Sequence, residues 1–160
     1  MYVPFEKMPW ESRVWVYQAN RKISPQEQEI IQNKLEKFLD QWTAHNQGLK
    51  AAGKLFHQQF LVLAVDEYFS SVSGCSIDSS IHFVQELETE LGINFFDKSK
   101  VAFLHQDQVF LESLPNLKQR IEKGEIKENT ITFNNLITNK KELEESWTVP
   151  VKDSWLNKYF

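Results

Sequence analysis

Six consecutive apolar residues, FLVLAV, occupy positions 60–65 and place the strongest constraint on the fold. Successive side chains of a β-strand point to opposite faces of the sheet, so a strand that is apolar at every position must be covered on both faces. The run is far too short for a membrane-spanning helix, which needs about 20 residues. It therefore predicts a strand in the middle of a sheet, with a packed layer on either side.

The other segments of the chain alternate between strand and helix patterns. β-branched and aromatic residues predict strands at SRVWVYQA, on both sides of a turn in VAFLHQDQVFLE, and at NTITFNN, whereas LKAAGKLF is interpreted as a loop. This order predicts one α+β domain over residues 1–160, with an α/β fold as the alternative. We expect a mixed sheet of about five strands with helices packed on both faces. The aromatic C-terminal tail, residues 147–160, is expected to dock on this domain.

Two helices are well marked. The first begins with Ser24 as its N-cap, Pro25 in the first position and Glu27 completing a capping box, and it is expected to end near Gly48. Its apolar residues recur at helical spacing: Ile31, Leu35, Phe38, Leu39 and Trp42. The second is expected over residues 77–91, before Gly92. Its predicted buried face consists of Ile77, Ile81, Val84, Leu87 and Leu91.

Charge and cysteine content exclude several classes of function. The net charge is −4, and the densest basic stretch, TNKKELEE, is interpreted as a solvated helix face, so binding to nucleic acid is not expected. A single cysteine cannot form an internal disulfide, which suits a reducing compartment. The first residues show neither a basic leader nor a long apolar segment. We therefore expect a soluble, cytoplasmic protein that does not bind membranes, with its oligomeric state left open.

The only cysteine lies in SGCSIDSSIH, at the start of the second predicted helix. A helix N-terminus carries free N–H groups and a partial positive charge, which favours a thiolate over a thiol. Asp78 and His82 lie one turn apart on the side opposite the predicted buried face, so His82 could act as a base that Asp78 orients. Cys75, Asp78 and His82 thus form a candidate catalytic set for a small hydrolase- or transferase-type enzyme. However, His82 would lie about 10 Å along the helix axis from Cys75.

The same stretch supports two other interpretations. Ser73, Gly74, Ser76 and Ser79 are small residues around a helix N-terminus, and they could hold a phosphate or carboxylate without any chemistry. Alternatively, the serines are ordinary helix caps and the cysteine is a small apolar side chain. Because no complete catalytic set is visible, a non-catalytic domain that binds a small anionic ligand or a protein partner through Ser73–Ser80 is the favoured hypothesis. An enzyme is the alternative.

Two carboxylates, Asp66 and Glu67, follow the apolar run where the predicted central strand ends. Sites in open sheets often lie at such an edge, and carboxylates bind hard cations, so these residues together with Asp78 form an alternative metal site. The simpler interpretation is that acidic residues mark the exit of a strand from the core. The four histidines show no zinc-binding spacing and the glycines form no phosphate-binding loop, so no cofactor is expected.

Several stretches together resemble a known protein family. They are MYVPF, RVWVYQANR, FLVLAVDE, SGCSIDSSIH, INFFDKSKVAFL, TFNNLI and SWLNKYF, and they extend over the whole chain. The family consists of uncharacterised bacterial proteins of nearly this length that often carry the name "ABC transporter ATPase". That name implies a P-loop ATPase, whereas this sequence lacks the Walker A motif. The resemblance implies a small soluble bacterial protein that is not a P-loop ATPase.

Overall fold

The computed structural model describes residues 1–160. It contains four α-helices: α1 (Pro25–Gln41), α2 (Gly74–Leu91), α3 (Leu117–Glu122) and α4 (Lys140–Glu145). The nine strands are β1 (Arg13–Gln18), β2 (Thr43–Ala44), β3 (Gln47–Gly48), β4 (Ala51–Phe56), β5 (Phe60–Val65), β6 (Lys100–His105), β7 (Gln108–Ser113), β8 (Ile131–Phe133) and β9 (Thr148–Pro150). These helices and strands confirm the α+β fold.

The first sheet has three antiparallel strands in the order β1-β5-β4. The apolar run Phe60–Val65 forms β5, the central strand, and all six of its side chains are fully buried. The prediction of a central strand covered on both faces is therefore confirmed.

Helices α1 and α2 cover one face of this sheet. Alternate residues of β5 join them in one apolar cluster, which includes Leu61, Leu63 and Val65 from the strand, Ile31, Leu35 and Leu39 from α1, and Val84 and Leu87 from α2. The capping box at Ser24 and the apolar stripe of α1 are as predicted. However, α1 ends at Gln41, before the small hairpin of β2 and β3, instead of near Gly48.

A second antiparallel sheet, in the order β7-β6-β8-β9, covers the other face of β5. Phe60, Val62 and Ala64 pack there with Phe133 and Trp147. The expected single mixed sheet with helices on both faces is therefore wrong in its arrangement. An apolar face of a strand has to be buried, but a second sheet buries it as well as a helix does.

The outer face of the second sheet carries a smaller apolar cluster that includes part of the tail. Val151 and Leu156 pack there with Phe103, Leu117 and Ile126. Trp147 is also buried, whereas Trp155 is 54% exposed. The tail therefore contacts the domain through Trp147, Val151 and Leu156 and leaves the rings of Trp155 and Phe160 exposed.

Two local interpretations of the sequence are wrong. LKAAGKLF contains β4, an edge strand in which Gly53 lies closely against α1. The helix face in TNKKELEE is only partly solvated, because Lys140 is 7% exposed. Its ammonium group donates to the carbonyl oxygens of Met8 (2.8 Å) and Glu6 (3.2 Å). None of the helices combines the length and hydrophobicity needed to cross a lipid bilayer.

Candidate functional site

The start of α2 forms a compact set of hydrogen bonds within the chain. The Ser73 hydroxyl accepts from the Ser76 amide at 3.1 Å, and the Ser76 hydroxyl accepts from the Ser73 amide at 2.7 Å. The Ser76 hydroxyl also lies 2.8 Å from the Ser73 carbonyl oxygen, to which it can donate. Two of the three hydroxyl groups predicted to hold a ligand, those of Ser73 and Ser76, therefore cap their own helix.

The buried face of α2 is rotated relative to the predicted one. Ser76 and Ser80 are buried together with Phe83, Val84 and Leu87, whereas the three predicted positions Ile77, Ile81 and Leu91 are only half-buried. The small serines allow aromatic rings of the core to approach the helix: the Trp42 indole donates to the Ser76 carbonyl oxygen at 2.8 Å. Burial raises the pKa of Tyr17 on the adjacent strand, although a hydrogen bond with Ser80 opposes this effect.

The predicted catalytic side chains lie on the solvent side of α2. Cys75, Asp78, Ser79 and His82 are all exposed. Cys75 and His82 belong to one continuous helix, so they are separated by about 10 Å along its axis, beyond hydrogen-bonding distance. The Ser79 hydroxyl donates to the Cys75 carbonyl oxygen at 3.0 Å, a bond within the helix. The structure does not bring these groups together around a recess.

The two carboxylates after β5 make separate contacts. Asp66 is buried, lies 3.4 Å from the Lys50 ammonium group and accepts from the Tyr68 amide at 3.1 Å. Glu67 lies 4.0 Å from the Arg13 guanidinium at the surface. No group of three or more His, Cys, Asp or Glu side chains is close enough to hold a metal ion. The contacts of Asp66 are those of a residue that stabilises the end of a strand.

Replacing Ser73 with alanine is expected to lower the free energy of unfolding by about 1 kcal/mol, because the N-cap hydrogen bond to the Ser76 amide is lost. Urea denaturation measures this change. Ser71→Ala, at an exposed position before the helix, is the matched control and is expected to change stability by less than about 0.5 kcal/mol. An unchanged stability of the Ser73 variant would mean that this hydroxyl is free for another role.

A cavity with a partly apolar lining lies elsewhere, between the two sheets. We call it the inter-sheet cavity; its volume is about 580 Å³. It is bounded by β1 of the first sheet, by β6 and β8 of the second, and by residues 134–136 and 153–155. Beside this cavity β8 pairs with β6 only at Phe103 and Leu104, so residues 100–102 of β6 are not paired with β8, although they remain paired with β7. A volume of this size lies in the range of about 300–1,000 Å³ that is typical of small-molecule sites.

The floor of the inter-sheet cavity is apolar and its rim is mixed. Phe95, Ala102 and Phe133 are buried residues of the lining. At the rim, Leu136 is 86% exposed and Trp155 is 54% exposed. Exposed apolar side chains beside an apolar hollow are typical of a surface that contacts a ligand.

Two of the three carboxamides that line this cavity belong to a chain of hydrogen bonds, which we call the carboxamide relay. The Trp147 indole donates to Asn135 Oδ1 at 2.8 Å, and Asn135 Nδ2 donates to Gln18 Oε1 at 3.1 Å. Gln18 Nε2 then donates to the Lys100 carbonyl oxygen at 3.0 Å. Gln18 and Asn135 are both half-buried. The relay therefore connects the two sheets at the polar end of the cavity.

Four charged residues also line the cavity, two of each sign. Lys98 and Asp153 are exposed at the rim, whereas Asp97 and Lys100 are half-buried. The Lys100 ammonium group donates to the Asn20 carbonyl oxygen at 3.2 Å. Hydrogen bonds from the hydroxyl and amide of Ser99 lower the pKa of Asp97. Because the formal charges balance, charge alone does not determine what the cavity binds.

The chain was compared with protein-family models, curated proteins and solved structures. No match was found. The site must therefore be interpreted from its own geometry.

The residues of the carboxamide relay were not among the predicted site residues. Gln18 follows Val14 and Val16 on the face of β1 that packs against the second sheet, so it is a polar residue at the end of an apolar alternation. Asn135 stands in an Asn-Asn pair directly after β8. Both signals are present in the sequence, but each is also common at the ends of ordinary strands.

Proposed function

We propose that this protein is a non-catalytic domain that binds a small ligand in the inter-sheet cavity. The observation that carries this proposal is the combination of an apolar floor with two half-buried carboxamides whose orientation is set by the carboxamide relay. Few, well-positioned polar groups in a largely apolar hollow are the usual composition of a small-molecule site. The ligand has an apolar body and one polar end.

The start of α2 is less suited to ligand binding than the inter-sheet cavity. Its two capping hydroxyls bond to each other's backbone amides, and its exposed thiol, carboxylate and imidazole do not converge. The enzyme hypothesis built on Cys75 therefore gains no specific observation.

We also propose a cytoplasmic, bacterial setting. The exposed, unpaired Cys75 supports a reducing compartment, since the fold uses no disulfide. The family resemblance supports the bacterial source.

The proposed function predicts saturable binding of 1-octanol in the inter-sheet cavity. The titration is followed by ¹H–¹⁵N NMR, and the backbone amides of Gln18, Lys100 and Asn135 are expected to shift, because these residues line the cavity. The amide signals of Cys75 and His82 are expected to keep their chemical shifts.

A blocking variant and a matched control make this titration decisive. Val16→Trp adds bulk to the cavity wall and is expected to weaken binding at least about tenfold, the equivalent of about 1.4 kcal/mol. Ile30→Trp adds the same side chain on the exposed surface of α1 and is expected to leave binding unchanged. Shifts centred on Cys75 and His82, or equal weakening in both variants, would contradict the proposed site.

A further inference from the structure

The direction of the carboxamide relay follows from its two ends. The Trp147 indole nitrogen is only a donor, and the Lys100 carbonyl oxygen is only an acceptor. The indole must therefore meet the oxygen of Asn135, which turns the amide nitrogen of Asn135 towards Gln18. Gln18 must then present its oxygen to Asn135 and its nitrogen to the Lys100 carbonyl. Neither carboxamide can be reversed without placing two acceptors or two donors against each other.

This fixed direction determines which groups remain for a ligand. A carboxamide nitrogen carries two hydrogens, and the relay uses one from Asn135 and one from Gln18. The second hydrogen of each remains a donor at the polar end of the cavity. Lys100, which is half-buried in the same lining, adds an ammonium group with three hydrogens, one of which is used by the Asn20 carbonyl.

The two acidic residues of the lining do not outweigh its hydrogen-bond donors. Asp97 accepts hydrogen bonds from Ser99, and the nearby Lys100 ammonium group also lowers the pKa of Asp97, so these two half-buried charges partly offset each other. Asp153 is exposed at the rim, as is Lys98 of opposite sign, and solvent and salt screen both charges. The carboxamide groups of Gln18 and Asn135 are half-buried and neutral, so salt does not screen their hydrogen bonds to a polar end that enters the cavity.

We propose that the ligand of the inter-sheet cavity is an amphipathic carboxylate, held by the free N–H groups of Gln18 and Asn135 with Lys100 beside them. Two N–H donors on neighbouring amides suit the two oxygens of a carboxylate, and hydrogen bonds to an ionised acceptor are about twice as strong as neutral ones. This inference rests on the proposed function, because it specifies the ligand of the same cavity.

Three probes with one apolar body and different ends test the inference: octanoate, octylammonium and 1-octanol. Each probe is titrated below its critical micelle concentration, and binding is followed by the NMR signals of the backbone amides of Gln18 and Asn135. Octanoate is expected to bind about tenfold tighter than octylammonium, and this preference is expected to persist in 0.5 M NaCl (roughly a 4 Å screening length).

Asn135→Asp tests the role of the carboxamide relay directly. The new carboxylate still accepts from the Trp147 indole but offers only an acceptor to Gln18, so the direction of the relay is lost. The preference for octanoate is expected to disappear or reverse, while 1-octanol continues to bind. Asn134→Asp is the matched control, because it adds the same charge to the lining, next to Asn135 but outside the relay. This control is expected to change the preference by less than about threefold.

The outcomes separate the inference from the function on which it rests. If none of the three probes shifts the cavity amides, the proposed function fails. If they bind but octylammonium equals or exceeds octanoate, or if Asn134→Asp abolishes the preference as fully as Asn135→Asp, only the carboxylate assignment is overturned. Thermal unfolding of each variant, together with retained 1-octanol binding, shows that the fold is intact.

Discussion

Replacing Phe60 with alanine is expected to lower the free energy of unfolding by about 3–5 kcal/mol. Phe60 is fully buried in β5 on the face that meets the second sheet. Its ring centroid lies 4.7 Å from that of Phe133 and 4.9 Å from that of Trp147. Truncation removes these ring contacts and leaves a cavity that the surrounding strands cannot close. Urea denaturation followed by far-ultraviolet circular dichroism measures the change.

Phe69→Ala is the matched control for this prediction. Phe69 lies after β5 and is 59% exposed, so the same truncation there is expected to change stability by less than about 0.5 kcal/mol. A loss of less than about 1 kcal/mol at Phe60 would contradict the packing of the two sheets through this face. Equal losses at both positions would show that the burial of Phe60 has no special importance.

The central position of β5 could be predicted because it depends on a local pattern. Six apolar residues in a row leave no face for solvent, whatever the rest of the chain does. The nature of the covering layers could not be predicted in the same way. Leu63 and Phe60 lie on opposite faces of one strand, and they pack against helices and a second sheet respectively. Both layers satisfy the same requirement for apolar contact, so the pattern within the strand does not distinguish them.

Polar residues gave the largest errors, because tertiary contacts decide their burial. Ser76 and Ser80 lie outside the predicted buried face of α2, but their small volume lets the helix approach Trp42 and Tyr17. Lys140 resembles a surface lysine in its sequence context, yet its ammonium group satisfies the carbonyl oxygens of Glu6 and Met8. Those partners lie more than 100 residues away, where no local period can reveal them.

The candidate site could be predicted even less, for the same physical reason. Gln18 and Asn135 are 117 residues apart in the chain and meet only after both sheets have formed. The unusual residues around Cys75 are contiguous in the sequence. Contiguity makes a motif visible, but a helix separates residues along its axis and keeps Cys75 and His82 apart. In contrast, the sheets bring distant polar side chains to one side of an apolar hollow.

Replacing Gly53 with alanine is expected to lower the free energy of unfolding by about 1–3 kcal/mol. Gly53 lies in β4, where a new Cβ atom would stand 2.8 Å from Leu35 Cδ2 and 3.0 Å from Leu39 Cδ1. Both leucines are fully buried and have little space to move. The φ angle of Gly53 is not positive, so alanine is compatible with the backbone. The loss therefore reports overpacking between β4 and α1, measured by urea denaturation.

Gly74→Ala is the control that separates packing from the loss of chain flexibility. Gly74 is the first residue of α2, its φ angle is also not positive, and a Cβ atom there would meet nothing within 4 Å. Alanine restricts the unfolded chain equally in both variants, an effect that stabilises by about 0.4–1 kcal/mol where the native backbone is compatible. Gly74→Ala is therefore expected to be neutral or slightly stabilising. If Gly53→Ala were also stabilising, α1 would not lie against β4 as closely as the structure indicates, and the small residues of LKAAGKLF would need another explanation.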